Sequence, residues 1–140
     1  MGFPKTKATS ILSDVFKTGN TIALLTAVNT ETDTYTEASG AGYARYTIKS
    51  GDFAISNGVA TTNQHILYGL AEASWGEIKG FAIFSGSTLQ YLGELLESKP
   101  VGENTVPVFK KYAVVDGVTE GIKVTLDVVT EATTTVTEGS

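Results

Sequence analysis

Apolar and polar positions alternate with a period of two along most of this chain, and the exception lies near the N-terminus. Between Ala8 and Lys17, the residues Ala8, Ile11, Leu12, Val15 and Phe16 recur at i, i+3, i+4, i+7 and i+8, the stripe of an amphipathic helix. Thr6 is placed to cap its start, and Lys17 and Gly19 suit its end, while Pro4 blocks an earlier start. A helix this short is marginal alone. Its stripe of Ile11, Leu12, Val15 and Phe16 therefore needs a partner, either the chain's own sheet or the surface of a neighbouring subunit.

The rest reads as strands. Thr21 to Val28 is a mostly apolar run of strand length, followed by a polar, Thr-rich surface loop from Asn29 to Ser39. Gly40 and Gly42 make a turn that feeds a strand in which Tyr43, Arg45 and Thr47 share one face. Phe53 to Ile55 and Val59 to Thr61 form a hairpin across Asn57-Gly58, a strong tight-turn signal. Gln64 to Leu70 is the next strand. Trp75-Gly76 then opens a strand, Ile78 to Phe84, apolar on both faces. Thr88 to Leu96 follows, then a loop from Ser98 to Asn104 carrying Pro100 and Gly102. Val106 to Phe109 and Tyr112 to Val115 are short strands, and Asp116-Gly117 marks a second tight turn. Ile122, Val124, Leu126 and Val128 alternate cleanly with polar neighbours, and Thr130 to Ser140 is a Thr-rich tail. The expectation is an all-β fold: an antiparallel, jelly-roll-like β-sandwich with one short N-terminal helix. It divides into an arm and helix over 1–19, a sandwich domain over 20–129, and a tail over 130–140. The segments Gly40 to Arg45 and Trp75-Gly76 are expected to hold that domain together, with the chain's single Trp closing one end of the core.

Composition narrows the function more by exclusion than by pointing to chemistry. The 140 residues carry a formal net charge of -5, which argues against phosphate-driven nucleic-acid binding and against docking on an anionic membrane. Cysteine is absent, which removes disulfides, thiolate metal sites and a Cys nucleophile. No stretch approaches the roughly 18 apolar residues of a spanning helix, so a soluble chain made in a cytoplasm is expected. The sole histidine, His65, opens a strand with no nucleophile elbow near it, and reads as a surface or capping residue. Glu94 and Glu97 lack anything that would fix a glycosidase separation. Asn29, Glu31 and Asp33 alternate like the first calcium-loop ligands, but the sixth-position Gly and the closing Glu are missing. Gly40-Ala41-Gly42 lacks the third glycine and the helix of a dinucleotide loop. No catalytic, cofactor or metal site is expected. Tyr35, Tyr68, Tyr91 and Tyr112 would form a sugar platform only if several of them shared a face.

The order of motifs carries a resemblance. Ala23-Leu24-Leu25-Thr26-Ala27 is similar to a Leu-x-Leu-Phe-x-Ala strand, and an acidic loop leads from it to Gly40-x-Gly42-Tyr43-Ala44-Arg45. Trp75-Gly76, Phe81-Ala82-Ile83-Phe84, the Leu89 to Leu95 run, Lys99-Pro100-Val101 and a closing strand to Asp127 complete it, with Ser85 standing where the pattern has Asp. From Ile11 to Asp127 the chain resembles a family of small bacteriophage virion proteins, tail-fibre-like or minor structural. The resemblance implies a non-enzymatic, multi-copy, homo-oligomeric particle component that decorates the capsid or forms part of a tail or fibre attachment, with other virion proteins as partners. A glycan-binding adhesin for host recognition is the alternative, and the implied location is the virion.

Overall fold

The computed structural model describes residues 4–125. The expected continuation through Leu126 and Val128 and the tail over 130–140 lie outside them. In chain order the elements are α1 (Lys5–Val15), β1 (Thr21–Asn29), β2 (Thr34–Glu37), β3 (Tyr46–Thr47), β4 (Phe53–Ser56), β5 (Val59–Thr62), β6 (Ile66–Leu67), β7 (Gly76–Ser85), β8 (Thr88–Val101), β9 (Val108–Phe109), β10 (Ala113–Val115), β11 (Val118–Glu120) and β12 (Lys123–Thr125). The fold is all-β and its registered strand pairs are antiparallel, with one short N-terminal helix, as the alternation predicts. The described residues fall into two compact units that the chain visits in turn. The first holds 4–17, 50–66 and 109–125, and the second Thr18–Lys49 and Leu67–Val108.

The second unit is built on a five-stranded sheet ordered β2-β1-β7-β8, with β3 also paired to β1. The two most apolar runs of the sequence are its neighbouring inner strands, paired Ile22↔Ile83, Ala23↔Ala82 and Leu24↔Phe81. Residues directly opposite share a face, so Ala23, Leu25, Ala82 and Phe84 gather on one side, with Val28, Leu89 and Leu92 packed against them. Ile22, Leu24, Phe81 and Ile83 bury the other side. A one-residue bulge in β1 between Leu25 and Ala27 shifts the alternation and keeps Val28 on the same side as Leu25.

Two stretches expected to be loops hold strands. Within Asn29 to Ser39 only residues 30–33 are an exposed turn, and Thr34–Glu37 closes a hairpin, because Thr34, Tyr35 and Thr36 pair with Asn29, Val28 and Ala27. β-branched threonines suit a pleated ladder, and their polarity disguised the strand. Asn29 Oδ1 accepts from the backbone N–H groups of Glu31 and Thr32 at 3.0 and 3.3 Å, so the residue that resembled a calcium ligand caps the turn. Ser98 to Val101 likewise belongs to β8, where Glu77↔Pro100 and Gly76↔Val101 pair. β8 is an outer strand of the sheet, and an edge is where a strand tolerates a residue lacking an N–H.

In the first unit α1 begins three residues earlier than the stripe predicts. Pro4 is the cap residue instead of Thr6, and its carbonyl accepts the Ala8 N–H at 2.9 Å. The ring's fixed φ and missing N–H are harmless at a helix start, so the helix begins directly after the proline and not at Ala8. Ala8, Leu12, Val15 and Phe16 are buried, and the Phe16 ring lies 4.5 Å from that of Phe53 on β4. The β4–β5 hairpin turns at Asn57 and Gly58, both with positive φ, as its dipeptide requires, and Thr9 Oγ1 accepts the Gly58 N–H at 2.9 Å. Asp116 and Gly117 turn β10 into β11 in the same way. Thr62 is the joint of the unit. Its buried hydroxyl donates to the Lys110 carbonyl at 2.8 Å and accepts the Ile122 N–H at 3.1 Å, tying β5 to both segments that flank the β10–β11 hairpin.

Candidate functional site

The motif residues of the second unit converge. Gly40 and Gly42 have φ of +150° and +88°. A Cβ on Gly40 would lie 2.7 Å from Trp75 Cδ1, and one on Gly42 2.3 Å from the Leu70 carbonyl oxygen. Each glycine is there because another part of the chain occupies the space a side chain would need. The turn brings Ala41 against the indole, whose Nε1–H donates to the Ala41 carbonyl at 3.0 Å. Trp75 is 2% exposed, and Tyr43 meets it edge-on with centroids 5.2 Å apart. Gly76, φ +94°, then starts β7.

Tyr43 and Arg45, expected on one face, both reach Glu37 at the end of β2. Arg45 Nε and Nη2 donate to the two carboxylate oxygens at 2.9 Å each, a bidentate pair. The Tyr43 hydroxyl donates to Glu37 Oε2 at 2.5 Å and accepts the Leu24 N–H at 3.1 Å. That N–H lies on β1 just past the last paired residue of β2, so the phenol satisfies a donor that the short ladder leaves over. The guanidinium also sits 4.1 Å over the Phe84 ring, which makes a T-shaped pair with Tyr35, centroids 6.0 Å apart. The hydrogen bonds from Arg45 hold the Glu37 carboxyl below its ordinary range, against partial burial. Burial and the bond to Glu37 push the Tyr43 phenol well up. Neutral Tyr43, ionised Glu37 and cationic Arg45 thus satisfy one another, an arrangement that clamps a sheet edge and leaves no group poised as a base or nucleophile.

The other flagged residues are dispersed. His65 Nδ1 accepts the Lys111 N–H at 3.0 Å, a capping role in the first unit. Glu94 accepts from Thr30 Oγ1 at 3.2 Å. Tyr68 is buried and donates to the Ile22 carbonyl at 3.0 Å, Tyr91 packs on Phe81, and Tyr35 is half exposed beside an open depression lined by Val28, Asn29 and Thr34. Tyr112 belongs to the first unit, under the Lys123 ammonium. Of the helix stripe, Leu12, Val15 and Phe16 are buried in their own unit and Ile11 is half-buried. Among the described residues no group of three His, Cys, Asp or Glu side chains is placed to hold a metal ion.

Two features were missed by sequence reasoning. Glu37 lay in the segment taken for a loop, and only its position in the alternation Thr34-Tyr35-Thr36-Glu37 could have placed it beside Arg45. The second is an uncharged ribbon in which Tyr68 N–H donates to the Pro107 carbonyl at 2.9 Å and Ala71 N–H to the Thr105 carbonyl at 2.8 Å. It exposes Leu67, Leu70, Val106 and Val108, the two leucines at 59% and 48%.

The chain matches no curated protein and no solved structure. One family model, described as podophage GP4 fiber I protein gp80, matches residues 16–121, a span that begins just after α1 and contains the whole of the second unit. With most of its length inside that match, the chain belongs to the family of the podophage fiber I protein gp80, a family of phage fibre structural proteins.

Proposed function

We propose that this chain is a non-enzymatic structural component of a phage tail fibre or its attachment, made in the host bacterial cytoplasm and built into the virion in several copies. The observation that carries the reading is the family match over residues 16–121. The geometry supports it. The polar cluster of Glu37, Tyr43 and Arg45 is consumed in bracing a sheet. The ribbon with Leu67, Leu70, Val106 and Val108 offers apolar surface of the kind that protein contacts cover, so we assign it to another virion protein. The description of the family as a fibre protein favours a tail position over capsid decoration. A glycan-binding adhesin has less support, because Tyr68 is buried and Tyr112 belongs to a different unit from Tyr35 and Tyr91.

The test is to purify phage particles, identify the chain by mass spectrometry, and locate it with a gold-labelled antibody. Label at the tail fibres is expected, and Leu67→Glu with Val106→Glu should lower incorporation while leaving the fold intact. Particles without the chain, or label spread over the capsid shell, would overturn the assignment.

A further inference from the structure

β8 is fourteen residues long, and among the described residues no strand pairs with its outer side. An edge of that length presents a row of backbone donors and acceptors, and natural sheets guard such rows with charges, prolines and bulges. Here all but one of the guards lie beyond Gly93, as Glu94, Glu97, Lys99 and Pro100 do. So does a large break in register, where the partners jump from Lys99 to Glu94 as β7 advances from Ile78 to Gly80. The first six residues, Thr88-Leu89-Gln90-Tyr91-Leu92-Gly93, have no charge and no proline, and the bulge in them is small. It is one extra residue at Gln90, between the pairs Phe84↔Leu89 and Ile83↔Tyr91.

This stretch is also braced to stay a strand. Gly93 would be a weak point, but the Phe81 ring covers it from the paired strand, and a Cβ there would come within 2.7 Å of that ring. Phe81 and Tyr91 pack with centroids 5.9 Å apart, and Leu89 and Leu92 lie half-buried against the core cluster. The Gln90 carboxamide reaches the Thr88 carbonyl at a long 3.5 Å, a contact that a neighbouring strand would replace with a better one.

We propose that the Thr88–Gly93 part of this edge pairs with the same stretch of a second copy of the chain, antiparallel about a two-fold axis, so that two sheets become one. The occupant is a second copy for two reasons. An antiparallel pairing of a strand with itself is self-complementary, as a two-fold interface must be. Between two chains of net charge -5, a neutral stretch is where the edges meet without like charges opposed. The charged stretch beyond Gly93 sets where the pairing stops. The inference rests on the reading of the chain as a multi-copy virion component and names a surface through which copies would pair.

The experiment uses the purified full chain. Its mass by light scattering should be that of a dimer, falling to a monomer on dilution. Because the chain has no cysteine, one introduced thiol reports only contacts between copies. Thr88→Cys, Gln90→Cys and Tyr91→Cys should cross-link to dimers under mild oxidation, strongest at one position and weaker on either side, while Ser13→Cys on α1 should not. Gln90→Lys should halve the measured mass, with a melting curve unchanged from the native chain at dilutions where both are monomeric. A monomeric or trimeric native chain, cross-linking no stronger at 88–91 than at 13, or a Gln90→Lys chain that remains dimeric would overturn the proposal. Labelling of particles, as above, reads the fibre assignment separately, since a chain can sit in a fibre with this edge unpaired.

Discussion

Trp75 joins two segments of the second unit, the Gly40 to Arg45 turn and the end of β8. Its indole N–H holds Ala41, its ring packs on Tyr43, and its backbone N–H donates to the Val101 carbonyl at 2.9 Å. Trp75→Ala should cost about 3–5 kcal/mol in denaturant unfolding, as for other buried large aromatics. A loss below about 1 kcal/mol would mean that the ring is not spent on packing. Thr62 poses the opposite problem, since its apolar part is dispensable and its hydroxyl is not. Thr62→Val keeps the shape but leaves the Lys110 carbonyl and the Ile122 N–H without that partner, for about 1–3 kcal/mol. Thr62→Ser restores the hydroxyl and should recover much of the loss, and equal melting of the Val and Ser variants would refute this role. Trp75 was legible in the sequence, being a lone Trp before an apolar strand. Thr62 was not, because nothing about one threonine among many marks the one whose neighbours leave two backbone groups over.

At the scale of elements, legibility followed how local the signal was. The β4–β5 hairpin and the turn that ends β10 were readable because Asn57-Gly58 and Asp116-Gly117 specify those turns within two residues, whereas β11 was not foreseen. The buried runs of β1 and β7 were readable from continuous hydrophobicity. β2 was not, since Thr34 to Glu37 becomes a strand through pairing with β1, a tertiary effect that outweighs its polar composition. The far end of β8 was lost to a sound rule wrongly applied, as proline forbids a central strand and not an edge. That distinction makes a prediction. Pro100 faces Glu77 at the edge of the sheet, so Pro100→Thr should change unfolding free energy by no more than about 0.5 kcal/mol. It would also supply a backbone N–H to the guarded half of the edge. The variant should therefore aggregate faster than the native chain at equal stability, as followed by light scattering, and a large loss of stability would show that the ring has a packing role instead.

For the whole molecule, the Glu37–Tyr43–Arg45 cluster predicts how stability varies with pH. That Tyr43 and Arg45 would act from the same side was legible, although they precede β3 and do not lie in a strand, but their common partner was not. Glu37 has a folded pKa below its ordinary 4.5, so the stability it contributes is present above that value and lost as pH falls through the lower, folded one. Tyr43 and the buried Tyr68 have folded pKa values above their ordinary 10.0, in both cases because burial disfavours the phenolate. Their contribution is complete below that value and lost as pH rises through the raised one. The urea midpoint should therefore hold a plateau between an acid flank below the ordinary carboxylate range and an alkaline flank above the ordinary phenol range. Glu37→Gln keeps most of the shape but cannot ionise, so it should lower the plateau and flatten the acid flank. Tyr43→Phe removes the group that titrates and the acceptor for the Leu24 N–H together. It should lower the plateau by about 1–3 kcal/mol and weaken the alkaline flank without abolishing it, because Tyr68 remains. The two flanks move independently only if these residues cause them, so an acid flank of native steepness in Glu37→Gln would remove the cluster from the account of stability.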